Sequence, residues 1–446
     1  MSRDKNKIVY VCSECGYKST KWFGRCPSCG AWDSAVRVEE GVQSGTPSLI
    51  EFKPSTSDIS IPQRMTTVMK ETDRVLGGGV VLGSVILISG GPGIGKSTLA
   101  IEYASALTAY GNVYYVSGEE SVPQILLRVK RLGVENNRLF LSSEVNVDDV
   151  LSSVSSKGKP VAIVFDSIQT LYTAGMSALA GSVPQMRECT MKLIDYAKAN
   201  DVAIFMIGHV TKEGNIAGPM VLEHMVDGVL YLEGEPRSGR RILRSVKNRF
   251  GPTDEIAVYD METSGMIEIP DPSKIFADVD SEDPGSALSV IVEGSRPLMV
   301  NVQVLATPSY RNGSIRITRG FENTKLMIMA AIVSSHLGIS LENKDIYLNI
   351  LGGLRTNDTG IDLAVAVAIF SAVRKLRFPP KIAFIGEIGL DGKVRNVPQM
   401  QMRISEAKRM GIERVIVSND YRSGETEGVK TLKEAILKSF GGRNVA

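Results

Sequence analysis

Apolar residues in the middle of the chain come in short unbroken runs rather than in alternation. Val85 to Ser89, Val113 to Val116, Leu139 to Leu141, Val161 to Phe165 and Val202 to Ile207 each suit one strand, and the stretches between them read as helices. Strands that are apolar at every position are buried on both faces, so the pattern predicts a parallel sheet covered by helices, with ligands at the strands' C-terminal ends. Farther on, strands are expected near Leu288 to Val292, Val300 to Leu305 and Ile382 to Ile385, with helices near Asn323 to Leu337 and Ile361 to Leu376. Two stretches lack periodicity: Asp33 to about Ser60, rich in Ser, Thr, Pro, Glu and Gly, and a Pro, Asp and Ser segment from Asp260 to about Ser286. The partition that follows is 1–32, a linker 33–63, an α/β domain 64–270, a linker 271–285 and an α+β domain 286–446.

Composition agrees with two or three ordinary globular domains, since 43% of the 446 residues are hydrophobic. The longest apolar run, Leu363 to Val373, falls short of the roughly twenty residues of a membrane span. The N-terminus carries no apolar signal core, and a soluble cytoplasmic protein without a membrane partner is expected. A formal net charge of +2 neither supports nor excludes nucleic acid; any such binding must use local patches.

Cys12 and Cys15, and again Cys26 and Cys29, are separated by two residues, with ten residues between the pairs. Each turn can present two thiolates to one tetrahedral ion, with Gly16 and Gly30 freeing the turns, so a structural Zn²⁺ is expected and redox chemistry is the alternative. Lys18, Lys21, Arg25, Tyr17, Trp22 and Phe23 lie in the same segment, either to contact nucleic acid or a neighbouring domain, or to pack the knuckle. The remaining cysteine, Cys189, reads as a core thiol.

The strongest motif follows the first apolar run. Gly90-Gly91-Pro92-Gly93-Ile94-Gly95-Lys96-Ser97-Thr98 has the spacing of a phosphate-binding loop between a strand and a helix. Triphosphate oxygens must meet backbone N–H groups directly, and glycines clear that approach. Lys96 supplies a point charge to the β and γ phosphates, and Ser97 offers a hydroxyl to Mg²⁺. Asp166 closes Val-Ala-Ile-Val-Phe-Asp, where a carboxylate can hold the Mg²⁺ water shell. Glu119 and Glu120 follow the run Val113 to Ser117; either could orient the attacking water, with Glu119 preferred as general base.

Tyr172 to Gln185 and His209 to Pro219 should emerge on the nucleotide's side of the sheet as two loops, the second carrying Lys212. His209 reads either as a γ-phosphate sensor or as a structural histidine. Arg237 to Arg249 is the most basic short stretch, with Arg237, Arg240, Arg241, Arg244, Lys247 and Arg249. It suits DNA phosphates, a neighbouring subunit's nucleotide, or protection of an edge strand.

Together, the zinc knuckle, Tyr115-Val116-Ser117-Gly118-Glu119-Glu120-Ser121, Val164-Phe165-Asp166-Ser167-Ile168-Gln169-Thr170, Gly208-His209-Val210-Thr211-Lys212-Glu213-Gly214 and Lys247-Asn248-Arg249-Phe250-Gly251 resemble the bacterial RadA/Sms DNA repair family nearly end to end. The resemblance implies a RecA-like P-loop ATPase core between a four-cysteine zinc finger and a Lon-protease-like α+β domain. It further implies ATP sites at subunit interfaces of a homo-hexameric ring, with Lys247 and Arg249 reaching a neighbour's ATP. Single-stranded and branched DNA would lie in the channel, with Arg187, Lys212, Arg240 and Arg241 as contacts. Helicase-like branch migration of 5'-3' polarity and a partnership with the recombinase RecA are implied in the same way. Phe384 to Arg395 resembles the Lon proteolytic domain, but the serine and lysine of its dyad fall near Gly360 and Gln401. An ATP-dependent Lon-type protease and a nucleotide-switched DNA-binding module that recruits repair partners are the competing readings.

Overall fold

The computed structural model describes residues 7–40, 64–209, 218–234, 239–310, 313–421 and 423–440. Two compact units divide at Glu268.

The first unit begins with a three-stranded antiparallel ribbon of β1 (Lys7–Cys12), β2 (Lys18–Ser19) and β3 (Ala35–Glu40), in the order β2-β1-β3. Residues 35–40, expected to start a linker, therefore pair with β1 over its whole length; the rest of that linker, 41–63, lies outside the described residues. The ATPase-like part follows as β4 (Arg64–Met65), α1 (Lys70–Val75), β5 (Val80–Val81), β6 (Val85–Gly90), α2 (Lys96–Leu107), β7 (Val113–Ser117), α3 (Val122–Arg131), β8 (Leu139–Ser142), α4 (Val147–Ser156), β9 (Ala162–Asp166), α5 (Val183–Asn200), β10 (Ala203–Ile207), α6 (Gly218–Glu223), β11 (Gly228–Glu233), β12 (Arg240–Asn248), β13 (Ile256–Glu262) and β14 (Gly265–Glu268).

Nine of these strands form one sheet in the order β14-β13-β12-β11-β6-β10-β9-β7-β8. From β11 to β8 the ladders are parallel, as the unbroken apolar runs require. In β6, Ile86 and Ile88 join a core with Leu99, Tyr103 and Leu107 of α2, while Val85 and Leu87 join another with Leu193 of α5 and Met206. The expected all-parallel sheet is nonetheless mixed, because β12, β13 and β14 extend it antiparallel. The basic strand β12 lies inside the sheet between β11 and β13, so it has no open edge to protect. Helix α1 is stopped by Gly77 to Gly79, and the Glu268 carboxylate caps its start, accepting the N–H groups of Glu71 and Thr72 at 3.0 and 2.8 Å.

The second unit contains α7 (Ser273–Phe276), β15 (Ser286–Glu293), β16 (Arg296–Pro308), β17 (Arg316–Arg319), α8 (Asn323–Leu337), β18 (Lys344–Ile350), α9 (Asp362–Arg374), β19 (Ile382–Ile385), β20 (Glu387–Ile388), β21 (Val394–Arg395), α10 (Met400–Arg409), β22 (Arg414–Ser418), β23 (Glu427–Val429) and α11 (Leu432–Ser439). Its seven-stranded sheet has the order β17-β18-β16-β15-β19-β22-β23. The segment 271–285 is no free linker. Phe276 is fully buried, the Ser273 hydroxyl donates to Glu406 at 2.5 Å, and Asp271 pairs with Arg409 at 2.7 Å. Among the described residues no helix is long and apolar enough to cross a membrane.

Candidate active site

Strand β6 delivers Gly90 directly into the phosphate loop, and α2 begins at Lys96. Gly90 has φ near +152°, and a Cβ there would lie 2.4 Å from the Leu232 carbonyl oxygen, so only glycine fits against β11. At Gly91 and Gly93 a Cβ would meet nothing within 4 Å, so the loop is an open cradle that phosphate oxygens can enter. Lys96 is almost wholly buried, and its Nζ donates to the carbonyls of Gly90 and Gly91 at 3.0 and 2.9 Å. Burial lowers the Lys96 pKa, while the charges of Asp166 and Glu119 work against that fall. Ser97 follows at the helix start beside Thr98, and Pro92 lies exposed at the loop's crest.

Three carboxylates behave differently. Asp166, at the end of β9, is 2% exposed; its Oδ2 accepts the Tyr115 hydroxyl at 2.6 Å and its Oδ1 has no partner. An orphaned buried carboxylate oxygen beside a phosphate cradle suits a hydrated Mg²⁺, with Ser97 as the other holder. Glu119 points into the site, where its Oε1 meets His209 Nε2 at 2.8 Å. Burial alone would raise the Glu119 carboxyl, but Ser167, His209 and Lys96 together hold it below its ordinary value. It is therefore ionised at neutral pH. Glu120 turns away to pair with Arg128 at 2.6 Å, so the two neighbours divide into a site residue and a helix anchor.

The basic strand divides as well. Arg241 is 4% exposed, and its Nε donates to the Ile94 carbonyl at 2.7 Å while a terminal nitrogen donates to the Arg240 carbonyl at 2.7 Å. Arg241, expected to contact DNA, here braces the phosphate loop from beneath, since a buried guanidinium requires acceptors and the loop supplies one. Arg240 stays partly exposed, 3.8 Å from Asp260. Lys247 and Arg249 lie away from the cradle along the sheet, Lys247 level with Leu87 of β6 through Val229. The Arg249 N–H bonds to the Asp227 carbonyl, and the Asp227 N–H to the Val85 carbonyl, so Arg249 is level with the start of β6. Gly90 lies five residues along that strand, roughly 16 Å away at 3.3 Å per residue. Arg249 pairs with Asp227 at 3.1 Å, and Lys247 Nζ caps the carbonyls of Glu223 and His224 at 2.7 and 3.1 Å. Neither cation reaches the phosphate loop of its own chain.

In the ribbon, the Sγ atoms of Cys12, Cys15, Cys26 and Cys29 all lie within 4.8 Å of one another, with Cys12 to Cys29 at 3.6 Å and Cys15 to Cys26 at 3.5 Å. Four sulfurs about 2.3 Å from a tetrahedral Zn²⁺ have nearly this separation. The Gly16 and Gly30 N–H groups close the two knuckles onto the carbonyls of Cys12 and Cys26, each at 2.9 Å. Arg187, at the start of α5, donates to the Cys15 carbonyl at 3.2 Å; this expected DNA contact is engaged in holding the ribbon. Cys189 is buried as expected, its thiol pushed up to about 12 by desolvation. Lys212, Arg237 and most of the loop from His209 to Pro219 lie outside the described residues.

In the second unit, Gly360 adjoins a buried ion pair between Arg403 and Asp358 at 2.8 Å, and a Cβ at Gly360 would meet the Arg403 guanidinium at 2.5 Å. Gln401 accepts the Tyr421 hydroxyl at 2.8 Å. Neither position offers a nucleophile or an amine. The roles of Tyr115 and Arg241, both named from the sequence, were not read from it. The first was signalled by a tyrosine inside an apolar strand, whose buried hydroxyl must find a partner; no local pattern signalled the second.

A family model described as the rubredoxin metal binding domain matches residues 10–36, one described as an AAA domain matches 58–215, and one described as subunit ChlI of Mg-chelatase matches 320–421. The chain is similar to the DNA repair protein RadA of Streptococcus pyogenes serotype M1, at 43% identity over 98% of this chain and 99% of that one. It is similar to the protein of the same name from Bacillus subtilis (strain 168), at 40% identity over 98% and 100%. The Listeria monocytogenes serovar 1/2a protein of that name is 40% identical over 99% and 100%. A solved structure, the KaiC-like protein PH0186 from Pyrococcus horikoshii OT3, overlays on 47% of this chain and 100% of its own at TM-score 0.40 and 19% identity.

Proposed function

Since the chain belongs to the RadA family of DNA repair proteins, we propose that it is a DNA-dependent ATPase whose sites are completed between head-to-tail copies of a homo-hexameric ring. The observation that carries this reading is the half-built site. The phosphate loop, Glu119 and Asp166 gather at one end of the sheet, while Lys247 and Arg249 lie farther along it and are engaged with Glu223, His224 and Asp227 rather than with their own cradle. Cations so disposed serve a neighbour's γ-phosphate, as arginine fingers do.

In this mechanism the phosphate-loop N–H groups and Lys96 hold the β and γ phosphates, which draws Nζ away from the Gly90 and Gly91 carbonyls. Ser97 and Asp166 hold Mg²⁺, which when bound neutralises charge developing on the phosphate oxygens. Glu119 takes a proton from the attacking water, and His209 fixes its Oε1 and links the site to the loop that follows β10. That link gives the reading its motor: γ-phosphate loss changes what His209 holds, and Lys212, three residues farther along the chain, is the DNA contact we assign to the stroke. Branch migration of recombination intermediates, with RecA as partner, is the family role we assign to this motion. The buried Arg403–Asp358 pair at Gly360 supports a non-proteolytic second unit rather than the protease reading.

The test is ATP hydrolysis with and without single-stranded DNA, alongside strand displacement on forks of each polarity. Stimulation by DNA and displacement of one polarity, 5'-3' by resemblance, are expected, with both abolished in Lys96→Ala. Hydrolysis indifferent to DNA with no displacement would favour the nucleotide-switched module instead.

A further inference from the structure

We propose that the zinc ribbon carries a stacking surface for single-stranded nucleic acid, built on Trp22 and Trp32; this rests on the reading of the chain as a DNA-directed ATPase. Both tryptophans of the protein are in the ribbon, and they are 60% and 75% exposed. Neither belongs to the ribbon's buried interior, which is made by Val9, Val11, Cys12 and Cys26. Large aromatic area left in water on a small, cross-braced domain marks a contact surface.

The rings are held rather than loose. The Trp22 ring lies over Gly24, where an added Cβ would come within 3.3 Å of its Cη2 atom. Arg25 lies over Trp32, its Cζ 5.6 Å from the ring centroid, and its Nε donates to the Gly30 carbonyl at 3.1 Å. One side of Trp32 thus carries a guanidinium, which strengthens stacking and offers a donor to phosphate. Tyr17, also exposed, meets Phe23 edge to face at 5.9 Å in the same ribbon.

Charge selects the occupant. From Gly16 to Trp32 the sequence holds Lys18, Lys21 and Arg25, all exposed, and the flanking exposed carboxylates, Glu14 and Asp33, leave the segment with net positive charge. Among the described residues of the ribbon, the exposed large apolar side chains are the aromatic Tyr17, Trp22 and Trp32, with no large aliphatic one beside them in that set. Cationic side chains interleaved with flat rings match a strand of bases and phosphates, and stacking is indifferent to base identity. Position agrees: Arg187 ties Cys15 to the start of α5, directly after the loop that leaves the Asp166 strand at its C-terminal end. A strand passing that loop would meet the ribbon next.

The two tryptophans make the test direct, because all tryptophan fluorescence of the protein comes from this surface. The zinc-loaded full chain is titrated with an unlabelled (dT) oligonucleotide at 295 nm excitation, in parallel with anisotropy of a labelled one. Saturable quenching is expected, weakened by salt, with about tenfold loss of affinity in Trp22→Ala or Trp32→Ala and near-complete rescue in the Trp→Phe variants. Zinc content and ATP turnover without DNA should match the parent in every variant. Oligonucleotide binding that leaves the fluorescence unchanged and is untouched by the double Trp22→Ala, Trp32→Ala variant would overturn the proposal and leave the surface to a protein partner. Absence of any oligonucleotide binding, with or without ATP, would instead overturn the DNA-directed reading on which it rests.

Discussion

Arg241→Met separates the two meanings a basic strand can have. Arg241 Nε donates to the Ile94 carbonyl at 2.7 Å from a site that is 4% exposed, so the substitution removes a buried charged donor from beneath the phosphate loop. Such bonds contribute about 1.5–3 kcal/mol, and leaving the carbonyl unpaired forfeits most of that. Methionine nearly fills the space, so the packing loss is small. If the energy resides in the loop's shape, ATP affinity should fall by about 10- to 100-fold. A fluorescent ATP analogue in equilibrium titration reads this, with Arg240→Met as the control because its 3.8 Å approach to Asp260 is loose and half-exposed. Arg240→Met should bind nucleotide as the parent does. If Arg241→Met kept full nucleotide affinity and lost DNA affinity with a shallower salt slope, Arg241 would be a phosphate contact and the brace would be wrong.

Three further outcomes follow from the geometry. Glu119→Gln should lower hydrolysis by about 10²- to 10⁴-fold with ATP binding retained, whereas Glu120→Gln, which only loosens Arg128, should stay within a few-fold; equal losses in steady-state assays would undo the assignment of the base. Glu102, on the phosphate-loop helix, accepts the Met266 N–H and has its carboxyl pushed up to about 7 by burial. Its folded form holds a proton that the unfolded chain has released, so the group's contribution to stability declines as pH rises from about 4.5 to 7. Glu102→Gln should then raise the melting temperature at pH 8 and flatten its dependence over that window; an unchanged pH slope would contradict the burial. Chelating Zn²⁺ should abolish hydrogen-exchange protection in 7–40 and spare β6, β9 and β10, because four thiolates replace the core that so short a segment lacks; protection surviving metal removal would show that the ribbon folds without its ion.

The parts that the sequence exposed are those whose chemistry is local. A phosphate loop is a spacing of glycines before Lys96 and Ser97, the acid after β9 ends an apolar run, and two Cys-x-x-Cys turns announce a tetrahedral site; each is complete within a few residues. What escaped depends on partners far along the chain. Arg241 reads as one of six cations until the Ile94 carbonyl, 147 residues away, is brought above it. The segment 271–285 has a linker's composition, yet Phe276 and Ser273 dock on the second unit through Glu406 and Met299. Likewise β3, whose Val36-Arg37-Val38-Glu39 alternation is only four residues long beside linker-like sequence, is held by its ladder with β1. Turn-forming residues report local preference, and tertiary burial overrides it.

The central claim, that each ATP site is shared between two copies, is tested most directly by co-expressing Lys96→Ala and Arg249→Ala chains with different tags and purifying assemblies that contain both. Each variant alone should be inactive, since one lacks a cradle and the other lacks the cation that serves its neighbour. Mixed rings recombine an intact cradle with an intact Arg249 at about one interface in four, so DNA-stimulated hydrolysis should return to about a quarter of the parental rate. Mixed assemblies as inactive as the two parents, or an Arg249→Ala chain that hydrolyses ATP normally by itself, would contradict the account.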